Sequence, residues 1–348
     1  MLSQPPPHAS AQSQKSAMET MLALEPGTSF VSTPALEALV SRAECYLSEG
    51  YPVHFRGPAG SGKTTLALEL AARIGRPVLL LVGDDSFDTR RLVGGEGGIR
   101  SRRVVDRYIT SVTKVETETA PVWLDRALTV ACREGATLVY DEFNRAPAAA
   151  NNVLLSVLEE RMLVLPKSGR GESYLRVHPE FRAIFTSNPT DHVGAHEAQD
   201  ALLDRLITVD IDGVDRETEI RIAAARSGLP ERDAARIVDL VRDFRASREY
   251  AQRPTLRASI MIARLAARQG FRISAHDPRF VQLCLDLLVS RLRPEAAGMP
   301  DPRHRQMLVK LVEHFCGPGE GRQVAPGSDP AMGQHRLHES GHRRGGFV

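Results

Sequence analysis

An α/β fold, with a parallel sheet covered by helices on both faces and an all-helical unit after it, is predicted by three features of this sequence. Short apolar runs alternate with stretches of helical periodicity as far as Val209. A glycine-rich segment at 57–64 joins the first of those runs to a helix-forming stretch. Beyond Asp212 the apolar runs stop and only the helical period continues.

Taken in order, residues 1–30 (with PPPHASAQSQKS) are polar and aperiodic and read as a disordered N-terminal tail. A helix then starts at Thr33-Pro34 and runs to about Glu49, because Thr33 can cap it and Pro34 suits its first turn. Strands are expected at 53–55, 78–82, 137–140, 183–186 and 207–209. Their separation by helical stretches implies parallel pairing. Residues 31–213 form this α/β unit. Helices expected at 217–226, 231–247, 256–269 and 277–291 build a second unit over 214–316. The Gly- and His-rich residues 317–348 read as a disordered C-terminal tail.

At 348 residues the chain exceeds one ordinary core, in keeping with two packed units. A hydrophobic fraction of 42% and a charged fraction of 25% are those of a globular protein. The formal net charge of +2 is too small to argue for a nucleic-acid partner. No stretch approaches the roughly 20 apolar residues of a membrane span, and the N-terminus lacks a basic-then-apolar signal pattern. Cys45, Cys132, Cys284 and Cys316 have no CxxC spacing and read as reduced thiols of a cytoplasmic protein.

The segment Gly57-Pro58-Ala59-Gly60-Ser61-Gly62-Lys63-Thr64 is a complete phosphate-binding loop, with an apolar strand before it and a helix opening at Thr65 after it. Glycines let consecutive backbone N–H groups converge on a polyphosphate, and the helix N-terminus adds the positive end of its dipole. Lys63 supplies a mobile charge for the β- and γ-phosphates, and Thr64 a hydroxyl for Mg²⁺. The expected ligand is a nucleoside triphosphate.

Thr137-Leu138-Val139-Tyr140-Asp141-Glu142 is an apolar strand ending in two acids. Downstream of a phosphate-binding loop, Asp141 suits Mg²⁺ through its water shell, and Glu142 suits polarising the attacking water. The alternative for either acid is to cap a helix near Ala146. Ala183-Ile184-Phe185-Thr186-Ser187-Asn188 is a further apolar strand, and Asn188 can orient that water or simply form a turn before Pro189. Arg205 closes a helix expected at 198–206, from which it can reach a neighbouring subunit's nucleotide. The alternative there is a solvated side chain.

These four elements in this order resemble the AAA+ ATPases, in the branch containing the MoxR and CbbQ/NirQ/NorQ proteins, over roughly 33–316. The resemblance implies a P-loop αβα sandwich followed by a helical lid, ATP hydrolysis with Mg²⁺, and a homo-oligomeric ring of the hexameric kind. It gives Asn188 the role of sensor 1 and Arg205 that of an arginine finger. Arg257, in Pro254-Thr255-Leu256-Arg257-Ala258, falls where the lid sensor arginine stands, although the usual Ser-Pro-Arg reads Thr-Leu-Arg here. ATP over GTP follows from the family and from the lack of an Asn-Lys-x-Asp motif.

Longer segments, GYPVHFRGPAG at 50–60, LVGGE at 92–96, AANNVLLSVLEE at 149–160 and AQDALLDR at 198–205, resemble more closely the gas-vesicle AAA+ family. This implies a chaperone-like ATPase with gas vesicle shell or accessory proteins as partners. An activator of a metabolic enzyme, as in the CbbQ/NorQ group, and an ATP-binding scaffold that need not hydrolyse are the alternatives.

Two inserts complete the reading. Residues 94–103 combine glycines with Arg100, Arg102 and Arg103 and are expected to form a mobile charged loop. Residues 162–177 are expected to form a hairpin whose tip, KSGRGES, holds Lys167 and Arg170. Together these cations could line a pore entrance for an acidic or amphipathic protein segment, with solvated loops as the alternative. DNA could use the same charges, but no recognition helix, zinc site or aromatic platform accompanies them.

Overall fold

The computed structural model describes residues 24–27, 30–109, 112–165, 173–189, 200–246, 254–289 and 302–317, with the backbone alone for 96–109 and 112–123. The strands among them are β1 (Val53–Arg56), β2 (Val78–Val82), β3 (Gly94–Ile109), β4 (Val112–Asp125), β5 (Thr137–Asp141), β6 (Met162–Val164), β7 (Tyr174–Arg176), β8 (Arg182–Ser187) and β9 (Ile207–Asp210). Five form one parallel sheet in the order β2-β5-β8-β1-β9. β8 therefore lies between β1 and β5, with Val53 opposite Ile184 on one side and Ile207 on the other. That order sets the C-terminal ends of β1, β8 and β5 side by side.

Alternation along the strands divides the core in two. Leu138 and Tyr140 of β5, with Ala183 and Phe185 of β8, enter one apolar cluster. Val139 and Ile184, the residues between them, enter the other. A period of two with both faces apolar is what helices on each side require.

One face is covered by α1 (Pro34–Ser48) and α2 (Lys63–Ile74), which bury Val40, Leu47, Leu66 and Leu70. Each such burial contributes about 1.5–3 kcal/mol. Thr33 caps α1 by accepting the Leu36 N–H at 3.4 Å, and Pro34 sits in its first turn. The other face is covered by α3 (Thr89–Leu92), α4 (Ala127–Glu134), α5 (Ala148–Asn151) and α6 (Val153–Leu158), with the short α7 (Asp200–Leu203) leading to β9. The helices α8 (Arg216–Ser227), α9 (Glu231–Ala246), α10 (Leu256–Gln269), α11 (Pro278–Leu288) and α12 (Pro302–Cys316) follow. Most of them surround Ile237, Phe244, Ile262 and Phe280.

Several expectations need correction. The segment at 94–103, expected as a mobile loop, is part of β3, which pairs antiparallel with β4 from Gly94–Asp125 to Ile109–Val112. The β-branched run of Val104, Val105, Val112, Thr113, Val115, Thr117 and Thr119 favours extended backbone, and the glycines mark a register shift between Glu96 and Ile99. Of the helix expected at 198–206, residues 198 and 199 lie outside the described residues; the helix described is Asp200–Leu203, and Arg205 lies in the turn before β9. Residues 24–27 and Phe30, read as part of a disordered tail, pack on the α1–α2 face: the Gly27 N–H donates to Glu69 at 2.9 Å. The strands of the second insert pair as β6 and β7, while Lys167 and Arg170 lie outside the described residues.

Candidate nucleotide site

β1 leads into the phosphate-binding loop, and the loop leads straight into α2 at Lys63. Gly60 holds φ +74°, and a Cβ there would stand 2.5 Å from Thr255 Oγ1, so only glycine fits. Thr255 precedes α10, and the helical unit therefore touches the loop. Lys63 Nζ donates to the Pro58 carbonyl at 2.8 Å. Among the described residues Ser61 Oγ is buried with no hydrogen-bond partner, which fits it to a ligand or water oxygen.

On the opposite wall, Thr64 Oγ1 donates to the Asp141 carboxylate at 2.9 Å. The Thr186 hydroxyl donates to the same carboxylate and accepts the Glu142 N–H at 3.0 Å. Thr186 thus ties the middle strand to both acids. Glu142 adopts φ 51°, ψ 42°, an uncommon left-handed conformation for a residue with a Cβ. Gly83 lies so close that a Cβ on it would stand 2.3 Å from the Glu142 carbonyl oxygen. Arg145 donates to the Glu142 carboxylate at 3.0 Å. Glu142 stands at the N-cap position of a 3-10 turn over Phe143–Arg145 but makes no side-chain capping hydrogen bond, and the helix after that turn has Pro147 as its N-cap.

Behind this wall His54 bridges three strands, with Nε2 2.8 Å from Ser187 Oγ and Nδ1 3.0 Å from Thr208 Oγ1. Its ring stands edge-on to Phe143, the centroids 5.2 Å apart. Burial, reinforced by the nearby Arg56 cation, pulls its pKa down to about 4, so the imidazole is neutral in the folded protein.

The walls enclose a cleft of about 290 Å³. Ala59, Gly60, Ser61, Gly62, Lys63, Thr64, Thr65, Asp141, Glu142 and Arg257 line it together. Asn188 is buried just past β8 without lining the cleft, and its carbonyl accepts from Asn144 at 3.2 Å. Gly57 and Pro58 likewise stand behind the lining. Arg205 is elsewhere: it lines a second cleft with Pro52, Arg182 and Ile207, at the N-terminal ends of β1, β8 and β9. Sequence reasoning missed an apolar wall of Phe30, Val31, Leu36, Val214, Ile222 and Ile260, together with Arg226. It also missed Thr186, for which the one local signal was a pair of hydroxyls, Thr186-Ser187, ending an apolar strand.

Residues 52–206 match the model of an AAA domain, dynein-related subfamily. The chain is 53% identical over 293 residues to the gas vesicle ATPase GvpN of Ancylobacter aquaticus, covering 84% of this chain and 82% of that one. The chain belongs to the GvpN family. A GvpN of Haloferax mediterranei is 40% identical over 76% of this chain, and the NorQ protein of Paracoccus denitrificans 29% identical over 57%. As a GvpN-family member with an AAA domain, the chain is a nucleotide-binding AAA+ protein that hydrolyses ATP. The residues present also fit a nucleotide with its metal: the Thr64 hydroxyl and Asp141 carboxylate are the hard oxygen donors Mg²⁺ takes, and Ser61 Oγ has no partner among the described residues. Among the described residues no helix is long and apolar enough to cross a membrane.

Proposed function

We propose that this chain uses ATP hydrolysis to remodel or chaperone shell proteins during gas vesicle assembly and growth, as a homo-oligomeric ring acting in the cytoplasm at the vesicle. The observation that carries this reading is the 53% identity, spread over 84% of the chain, to a gas vesicle ATPase.

In this reading Lys63 and the first N–H groups of α2 bind the phosphates, while the apolar wall around Phe30 and Ile222 takes the base. Thr64 and Asp141 hold Mg²⁺, which when bound offsets phosphate charge. Glu142 polarises the attacking water, and its backbone, pinned by Thr186 and Gly83, keeps it in place. Asn188 orients that water from the strand between. Arg257 reads the nucleotide from the lid, and its motion passes to the β3–β4 and β6–β7 hairpins, the surfaces for an acidic or amphipathic protein segment.

Arg205 serves the nucleotide of the neighbouring copy. Its position supports this: β1 alone, four residues long, separates the two clefts by about 13 Å, farther than an arginine side chain reaches. Each site is then completed only by assembly.

A second reading, activation of a metabolic enzyme, rests on the weaker likeness to NorQ. Electron microscopy of cells carrying Lys63→Ala separates the two. Few or small vesicles are expected, and full-size vesicles at normal abundance would overturn the vesicle reading.

A further inference from the structure

Three arginines, Arg161, Arg182 and Arg205, line the cleft of about 690 Å³ at the N-terminal end of the sheet. They are held in different ways. Arg161 donates to the carbonyls of His178 and Pro179, at 3.4 and 3.2 Å. Arg182 donates to the carbonyls of Pro179 at 2.8 Å, Phe181 at 3.0 Å and Ser48 at 3.1 Å. These two guanidiniums pin turns and are fixed by main chain. Arg205 instead places Nε, at 2.8 Å, and Nη2 on a single carboxylate oxygen of Glu159, with Nη1 on the Ala201 carbonyl.

The Nε–Nη2 edge is the planar fork that matches a carboxylate or a phosphate. On Arg205 that fork is filled by Glu159. A phosphate that takes this fork must displace the carboxylate. Glu159 is 61% exposed and Arg205 28%, so water screens the pair and its release is cheap. A polyphosphate carries several negative charges against the one on Glu159, and it competes favourably for the same fork.

We propose that Glu159 is a positioning residue for Arg205: it holds the guanidinium back on its own chain until the nucleotide of a second copy takes it over. Ring closure around ATP thus exchanges a Glu159 pair for a phosphate pair, and hydrolysis with loss of the γ-phosphate hands Arg205 back. The inference rests on the reading of Arg205 as a finger acting on the neighbouring copy.

The test compares ATP turnover of full-length wild type, Glu159→Gln, Glu159→Asp and Arg205→Ala across a range of protein concentrations. Removing the competing carboxylate is expected to raise Glu159→Gln turnover by about two- to five-fold at low protein concentration, the factor an exposed ion pair supplies. Glu159→Asp, which keeps the charge, should stay near wild type, and Glu159→Gln combined with Arg205→Ala should be as inactive as Arg205→Ala alone. Glu159→Gln turnover at or below wild type, with Arg205→Ala inactive, would overturn the proposal. Wild-type turnover in Arg205→Ala would instead remove the finger reading itself.

Discussion

The Thr64 hydroxyl donates to both carboxylate oxygens of Asp141, at 2.9 and 3.0 Å, joining the start of α2 to the end of β5 across the intervening β8. Both are hard oxygen groups of the kind Mg²⁺ takes. Chelating Mg²⁺ should stop ATP turnover, and Asp141→Asn should lower it by about 10²–10³-fold, the range for removing one group that stabilises developing charge. A Mg²⁺ titration of ADP release checks this, and turnover unaffected by EDTA would contradict it.

Lys63→Ala and Glu142→Gln should separate binding from chemistry. Lys63 lines the cleft, and if it contacts the ground-state phosphates as proposed, its loss should abolish ATP binding. Glu142→Gln should bind ATP as wild type does and turn it over about 10²–10⁴-fold more slowly. Equilibrium binding with single-turnover kinetics distinguishes the two, and a wild-type rate in assembled Glu142→Gln protein would remove Glu142 from the chemistry.

Gly83→Ala reaches the same acid from behind. The added Cβ would stand 2.3 Å from the Glu142 carbonyl oxygen and 3.3 Å from the Phe143 Cα, both backbone atoms, so the acidic turn must shift. A misplacement of about 1 Å can cost on the order of 10²-fold in rate. The expected outcome is ATP affinity near wild type with kcat reduced by that order; an unchanged kcat would show that the turn tolerates the shift.

His54 sets an acid limit on stability. With its folded pKa at about 4 against 6.5 in the unfolded chain, the unfolded state takes up the proton first. Its contribution is complete above pH 6.5 and is lost as pH falls toward 4, by up to about 3 kcal/mol for a shift of this size. Urea midpoints of His54→Gln should therefore change less between pH 7 and pH 5 than those of wild type, and equal changes in both would contradict this.

The strands of the sheet and the loop at 57–64 were legible because period-two alternation and a contiguous motif are local properties. The acids at Asp141 and Glu142 were legible for the same reason, as the end of one such strand. His54 and Thr186 were not, because their partners are assigned only by strand order: His54 meets Ser187, 133 residues away, and Thr186 meets Asp141, 45 away. The apolar wall draws Phe30 from just before the α/β unit and Ile222 from the first helix after it, which no window of sequence joins. In the β3–β4 hairpin, glycines and arginines suggested a loop, while the evidence for strand lay in β-branched residues farther along.

Mixing Arg205→Ala protein with Lys63→Ala protein tests most directly the claim that two copies share each nucleotide site. Each variant alone should be inactive, since one lacks the finger and the other the phosphate contact. In mixed rings some interfaces pair an intact Arg205 with an intact Lys63, so ADP release should partly recover and pass through a maximum with mixing ratio. Mixed assemblies confirmed by two different affinity tags, yet inactive at every ratio, would contradict a shared site.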